Sequence, residues 1–373
     1  MRVLYYSDAL AKRQRFGLGR YAHELAGALA RVAPDVELLP AAARVEGAVP
    51  DGLHVVRGGR RVLAAAWARI DAPAVERLAP PFDVLHTVEM AYPVASHRPR
   101  VATLHDLGPL THPEWFSDAR MPLKRRALAQ AARAAAVVCV SEATADALVG
   151  LIGEAVRGRV HVIPEGVSPF FARPPAADDL RELRRRTPRG LPPDGTPYLL
   201  WTGSKLSPRK NLATTLDAFE RAAREVPHHL VLAGGVGWDA EPSLRRIRAS
   251  PVRDRIHRPG YVTDAELRAL YAGAAAFLYV SRLEGFGLPI LEAMAAGAPV
   301  VTSSVSSMPE VSGDAARLAD PLDADAIAEA VVAIATDPAE AGRLRAAGRA
   351  RAARFTWESA AERTAAVYRL IAP

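Results

Sequence analysis

Short apolar runs rich in β-branched and aromatic residues alternate along the chain with longer Ala/Leu/Arg segments. That alternation predicts βαβ units on parallel sheets, whose strands are buried on both faces and read as continuous apolar runs. In the first half, the strand candidates are residues 3–7, 84–87, 101–104, 137–140 and 160–163. After the first run comes a basic, glycine-bearing loop, residues 11–19. Leu18, Tyr21, Ala22, Leu25 and Leu29 then recur at helical spacing. The rhythm breaks between 172 and 197. There an Arg173-Pro-Pro step, an Arg-rich piece and a Gly/Pro-rich stretch predict a connection with one short helix. A second series follows at 198–202, 230–232, 255–258 leading to Gly260, 276–280, 300–302 and 316–319. Two doubly wound domains in tandem are the economical expectation, with boundaries at 1–172 and 173–356.

Composition agrees with that count. At 373 residues the chain is long enough for two buried cores, and 50% hydrophobic with 24% charged residues excludes disordered and collagen-like chains. The formal charge is +7, from 48 basic against 41 acidic residues. Cut at residue 190, the first part holds 27 basic and 20 acidic residues and the second 21 of each, which puts the surplus in the first half. A basic balance invites nucleic acid or an anionic membrane as partner. No helix-turn-helix, finger or aromatic-basic sheet motif accompanies the charge, so nucleic acid is not expected. Lysine occurs only at 12, 124, 205 and 210 against 44 arginines, so each lysine stands out. The single cysteine, Cys139, sits in an apolar run and reads as a core residue, excluding a disulfide scaffold. No apolar stretch approaches the ~20 residues of a membrane span, and the N-terminus lacks a signal-peptide pattern. The expectation is a soluble cytoplasmic protein, at most peripheral at the inner membrane face.

Ligands of open α/β sheets bind beyond the carboxyl ends of strands, and helix N-termini attract anions. Four segments after strands carry chemistry. Arg15-Phe-Gly-Leu-Gly-Arg20 lets the backbone approach a ligand at Gly17, yet it lacks the third glycine of a dinucleotide fingerprint. Gly203-Ser-Lys-Leu-Ser-Pro-Arg-Lys-Asn211 sets Arg209 and Lys210 before an amphipathic helix, a pairing suited to a diphosphate leaving group. Glu284-Gly-Phe-Gly-Leu-Pro-Ile-Leu-Glu292 places Pro289 in a first helical turn and ends at Gly297 and Pro299. Amides at 285–288 would cradle an anion or hydroxyls, while Glu284 and Glu292, which repel phosphate, suit sugar hydroxyls. Amides for phosphate with acids for vicinal diols is the profile of a nucleotide-sugar site. In Thr103-Leu-His-Asp106, His105 is a candidate hydrogen-bond donor or proton carrier. The histidines show no metal-ligand spacing, so no metal is expected, and Asp323-Ala-Asp325 reads as a helix cap.

Together these segments resemble the retaining GT-B glycosyltransferases of family 4, in particular bacterial mannosyltransferase-like members. Glu284 and Glu292 match the family's E-x7-E signature, and 203–211 matches its diphosphate-binding segment. Thr103-Leu-His-Asp-Leu, Val140-Ser-Glu142, Ile163-Pro-Glu-Gly166 and the stretch 300–310 match further landmarks. This chain departs from many relatives at Gly203-Ser204, where a Gly-Arg pair is common, and at Phe16-Gly17, where two glycines are common. The resemblance implies two Rossmann-like domains facing a central cleft, with a C-terminal helix, 357–373, crossing back to complete the first domain. It implies that Glu292 binds ribose hydroxyls and Glu284 the donor sugar. Amides at Phe286, Gly287 and Leu288 would hold sugar or phosphate, with Gly203, Ser204, Arg209 and Lys210 around the diphosphate. Tyr261 and Val262 would line the base pocket, Gly17 would approach the phosphates, and His105 would sit near the transferred sugar. The activity implied is retaining, metal-independent hexosyl transfer, mannose favoured. The donor would be a GDP- or UDP-sugar, without any further cofactor, and the acceptor a glycan, lipid-linked or small molecule. An epimerase on the same fold, or a non-catalytic nucleotide-sugar-binding partner protein, would share the donor site. The surplus charge of the first half points to an anionic acceptor or membrane surface on the N-terminal domain.

Overall fold

The computed structural model describes residues 1–12, 17–45, 47–116, 121–176, 178–203, 208–235 and 240–373. They form two compact units, Met1–Gly166 with Thr356–Pro373, and Val167–Phe355. Each holds one parallel, twisted sheet flanked by helices: a two-domain α/β, GT-B architecture.

In the first unit the strands are β1 (Arg2–Tyr6), β2 (Glu37–Ala42), β3 (His54–Val55), β4 (Val84–Thr87), β5 (Arg100–Leu104), β6 (Ala136–Cys139) and β7 (Val160–Val162). Their order is β3-β2-β1-β4-β5-β6-β7. The second unit orders its strands β10-β9-β8-β11-β12-β13. These are β8 (Tyr198–Thr202), β9 (His229–Ala233), β10 (Ile256–Gly260), β11 (Ala276–Tyr279), β12 (Val300–Ser303) and β13 (Arg317–Ala319). Five helices matter below: α1 (Leu18–Val32), α2 (Arg60–Ile70), α3 (Leu212–Ala222), α4 (Leu288–Ala296) and α5 (Trp357–Ile371).

Every strand expected from an apolar run is present; β2 and β3 were not anticipated. Proline argues against an inner strand because it donates no ladder hydrogen bond, and β2 carries Pro40. It is tolerated because β3 pairs only with Ala41 and Ala42, one step beyond it, while Pro40 itself lies opposite Tyr5 of β1.

The first unit is closed by α5, which packs along α1. Trp357 lies edge-on to Tyr21 of α1, Glu358 pairs with Arg31, and Arg369 pairs with Asp35. The Tyr368 hydroxyl meets Nδ1 of the buried His86 at 2.5 Å, while His86 Nε2 meets Thr103 Oγ1 at 2.7 Å. Burial holds His86 neutral, its pKa pushed down to about 3. Gly166 marks where the chain passes under α5: a Cβ there would lie 2.3 Å from the Trp357 nitrogen.

The Arg-rich segment before β8 belongs to the second unit, and this corrects the charge division. Leu183 is fully buried, Asp179 pairs with Arg268, Arg186 pairs with Glu266, and Gly190 abuts Pro259. Summed by unit, the first carries 23 basic and 19 acidic residues and the second 25 and 22. The surplus is four against three, not seven against none. Cys139 is buried and its thiol pushed up to about 12 by desolvation, a core residue as expected. Asp323 caps the helix that follows it through the amides of Asp325 and Ala326.

Candidate active site

In the second sheet, strand order reverses between β8 and β11, the switch point where ligands of such sheets bind. Gly203 follows β8; Ser204 and Lys205, both singled out by sequence, lie outside the described residues. The chain resumes in the turn Pro208–Lys210 and enters α3 through Asn211, whose backbone is left-handed (φ 55). Asn tolerates that conformation better than most residues. Its side-chain amide donates to the carbonyls of Val280 (2.9 Å) and Pro321 (2.5 Å), and the Arg282 amide donates to the Arg209 carbonyl at 2.8 Å. These contacts lock the Arg209–Lys210 turn against the end of β11.

Beyond β11 the loop carrying Glu284 is tied to the segment after β12. Ser306 Oγ donates to the Glu284 carbonyl at 2.7 Å, and Ser307 Oγ reaches the carbonyls of Glu284 (3.0 Å) and Phe286 (2.7 Å). Gly287 then turns the chain with φ 107, α4 starts with Pro289 in its first turn, and Gly297 ends it with φ 86. The side chains of Phe286 and Leu288 are buried, Phe286 against the Phe355 ring. Any part they take in binding therefore falls to main-chain amides, whose first-turn N–H groups have no intrahelical acceptor. Glu292 follows in the second turn of α4 and is also buried.

Glu284, Arg209 and Lys210 form one cluster. The carboxylate accepts from Arg209 at 2.7 Å and from Lys210 at 2.6 Å, and Lys210 also meets the Tyr279 hydroxyl at 2.5 Å. Lys210 Nζ lies 4.6 Å from the centre of the Tyr279 ring. Burial alone would raise the Glu284 carboxyl, but Arg209 and Lys210 outweigh it and hold the pKa at about 2. Burial, and Glu284 beside it, push the Tyr279 hydroxyl well up, so it stays protonated. Half-buried Arg209 and buried Lys210 share one buried carboxylate, so the three side chains carry a net positive charge suited to an anion.

The strand ends beside this cluster approach closely. The Gly203 amide donates to Ala233, and the Gly234 amide donates to Gly260. A Cβ on Gly234 would sit 2.0 Å from the Gly203 carbonyl oxygen, and one on Gly203 would meet the Trp201 ring at 2.3 Å. After Gly260, Tyr261 is 47% exposed and Val262 is buried. In the first unit, Gly17 caps α1 with φ 40, a left-handed conformation that favours glycine. His105 follows β5, its Nδ1 3.3 Å from Glu165 Oε1 and its Nε2 3.0 Å from the Val88 carbonyl. Among the described residues, no group of three or more His, Cys, Asp or Glu could hold a metal ion, and no helix is long and apolar enough to cross a membrane.

Sequence reasoning passed over Tyr279, Ser306, Ser307, Gly234 and Glu165. Gly234 left a signal, a glycine pair closing an apolar run; the others act through contacts some 20 to 75 positions apart.

Comparison with known proteins identifies the family. Residues 196–337 match the model for glycosyl transferases group 1, and residues 17–169 match that for glycosyltransferase family 4. O-antigen chain mannosyltransferase B of Escherichia coli is 33% identical over 309 residues, 82% of this chain and 77% of that protein. The MMP alpha-(1->4)-mannosyltransferase of Mycolicibacterium hassiacum is 33% identical over 214 residues, 56% of this chain and 48% of that protein. The structure of HepE from Anabaena in complex with UDP-glucose superimposes with a TM-score of 0.75 at 18% identity, covering 99% of this chain and 100% of that one. The chain thus belongs to the group 1, family 4 glycosyltransferases, and bacterial mannosyltransferases are among its relatives.

Proposed function

We propose that the protein transfers a hexose, mannose favoured, from a nucleotide-diphospho-sugar to an acceptor hydroxyl with retention of anomeric configuration. The observation that carries this reading is the Arg209–Lys210–Glu284 cluster, centred on the buried Glu284 just before α4. The two cations suit the diphosphate, the α4 amides suit phosphate or sugar oxygens, and Glu284 suits sugar hydroxyls. Glu292 is assigned to the ribose and Tyr261 with Val262 to the base. In the reaction the anomeric carbon–diphosphate oxygen bond breaks and the acceptor oxygen–anomeric carbon bond forms on the same face. The acceptor proton passes to a diphosphate oxygen, and Arg209 and Lys210 stabilise the charge left there. With two cations at the diphosphate no metal is required, so a chelator should leave the rate unchanged. The mannosyltransferase relatives favour mannose, and a UDP-sugar is the other donor to test because HepE binds UDP-glucose.

A thermal-shift panel of nucleotide-sugars tests the donor site, because a ligand that binds only the folded state raises stability by mass action. GDP-mannose or a UDP-hexose should raise Tm; no shift with any of them overturns the assignment. Conversion of a nucleotide-sugar without acceptor would instead favour the epimerase. The acceptor is a glycan, a lipid-linked sugar or a small molecule. An anionic membrane surface is a further partner under this reading, supported by α2, which exposes Arg61, Val62, Arg69 and Ile70 on the first unit.

A further inference from the structure

A second cationic place lies beside β10, the edge strand of the second sheet. Thr187, Pro188, Arg189 and Gly190 line, with Ile256 and Arg258, a cavity of about 530 Å³ that opens to solvent. Other arginines of these two segments are committed. Arg184, Arg185 and Arg186 each pair with a carboxylate, and Arg255 donates to the carbonyls of Ala223, Val226 and His228. Among the described residues, the guanidinium groups of Arg189 and Arg258 meet no carboxylate and no hydrogen-bond acceptor, and no acidic residue lines the cavity. Partial desolvation, with Arg248 nearby, works against the Arg258 charge, and nothing of opposite sign on the cavity wall offsets it.

The backbone fixes where the two arginines start. Arg258 sits on a strand, and the turn carrying Arg189 is pinned to that strand. A Cβ on Gly190 would lie 2.8 Å from the Pro259 Cα. His257 Nδ1 donates to the Arg189 carbonyl at 3.3 Å, and its Nε2 accepts from His229 Nδ1 at 2.7 Å. Two neutral rings satisfy both contacts, and burial lowers both histidines, which keeps them neutral. The cavity is separate from the Arg209–Lys210–Glu284 cluster. β10 lies two strands from β8 and three from β11, roughly 10 and 14 Å at the usual strand spacing. Ile256 and Arg258 also precede the carboxyl end of β10, which Gly260 marks.

We propose that this cavity binds the phosphate group of a small molecule between Arg189 and Arg258, with Pro188 and Ile256 as its apolar wall. Guanidinium forks match phosphate oxygens in pairs, and two of them on one wall form a site rather than a contact. The volume lies in the usual range of small-molecule sites and exceeds what bare phosphate fills, so a sugar-sized phosphate ester fits as well as the free ion. An edge strand bearing arginine and Pro259 deters strand addition, which argues against an extended peptide as occupant. No part of this rests on the transferase reading.

Calorimetry and ³¹P line broadening on the full-length protein at low ionic strength test it, with mannose 6-phosphate and inorganic phosphate as probes. Both should bind, and the affinity should fall as salt rises. Arg189→Ala and Arg258→Ala should each weaken binding by roughly tenfold, the loss of one charge-assisted contact. Neither side chain holds a partner, so Tm should stay at the parent value. Arg253→Ala, which removes an exposed charge beside Asp254, should bind both probes as the parent does, and so should Lys210→Ala. Tighter binding of mannose 6-phosphate assigns the site to phosphate esters, and equal affinity assigns it to free phosphate. No binding of either probe at 10 mM, about the weakest affinity of interest for two such contacts, would overturn the proposal. So would binding that survives both arginine variants, or that is lost in Lys210→Ala instead, which would place the phosphate at the candidate active site.

Discussion

The strand ends of the two units handle charge in opposite ways. In the second unit the candidate site is cationic: buried Lys210 and half-buried Arg209 lie against the buried Glu284. In the first unit the corresponding positions are acidic. Asp8, Glu89 and Glu165 follow β1, β4 and β7, and they are occupied by the Tyr92 hydroxyl, the Ser7 hydroxyl and His105. Arg57, Arg61, Arg125 and Arg126 are among the cations exposed on the surface of the first unit. The two totals, four and three positive, hardly differ. Placement rather than net charge separates the cationic end from the acidic one, because a buried ion pair keeps its strength while exposed charges are screened.

The largest effect should come from breaking the cationic end. Under the proposed transfer reaction Lys210 stabilises the leaving diphosphate, so Lys210→Ala should lower kcat by on the order of 10²–10³-fold, with a smaller change in donor KM. Arg125→Ala and Arg126→Ala, which remove the same charge from the exposed surface of the first unit, should change kcat by less than about twofold. Steady-state kinetics on the three variants checks this. Near-normal turnover in Lys210→Ala would remove Lys210 from the mechanism, and a large loss in the surface variants would erase the distinction between the two ends.

The same contrast governs how much of the site was legible in the sequence. Local features were: the apolar runs of eleven strands, the Pro289 and Gly297 boundaries of α4, and the Asp323 cap all follow from neighbours within a few residues. Glu284 and Glu292 stood out by spacing. That Glu284 is saturated by Arg209 and Lys210 was not legible, since the partners are about 75 residues apart and a loop glutamate normally faces water. Glu165 was quoted only as part of a landmark, because its partner His105 arrives from another strand. The charge division misled for a related reason: the Arg-rich segment looks like a free connection, yet Leu183 anchors it to the second unit.

Acid should distinguish the units next. His86 is an ordinary 6.5 group held at about 3, so the unfolded chain binds a proton that the folded first unit refuses. Its stabilising effect is complete above pH 6.5 and is lost as pH falls toward 3, at up to about 1.4 kcal/mol per pH unit. Glu284 is an ordinary 4.5 group held at about 2, so its contribution is intact above pH 4.5 and is lost only as pH falls toward 2. His228, His229 and His257 of the second unit are also lowered by burial, though none as far as His86. Between pH 6.5 and 4.5, hydrogen exchange corrected for intrinsic rates should therefore show the first unit losing more protection than the second. Equal loss of protection in both units over that window would count against the His86 assignment.

The smallest effect concerns the exposed cations themselves. If α2 touches an anionic surface, Arg61 and Arg69 contribute long-range attraction, about 1 kcal/mol each near such a membrane, while Val62 and Ile70 supply apolar contact. Co-sedimentation with phosphatidylglycerol vesicles should then weaken by about fivefold in Arg61→Ala and fade as salt rises. With neutral phosphatidylcholine vesicles the parent and variant should behave alike. Val62→Ser should weaken binding in a way that salt does not reproduce, since apolar burial is not screened. Binding to anionic vesicles that ignores Arg61, or none at all, would leave these cations as a solvated face. The comparison would then rest on the strand ends alone, where a carboxylate holds a histidine in one unit and two cations hold a carboxylate in the other.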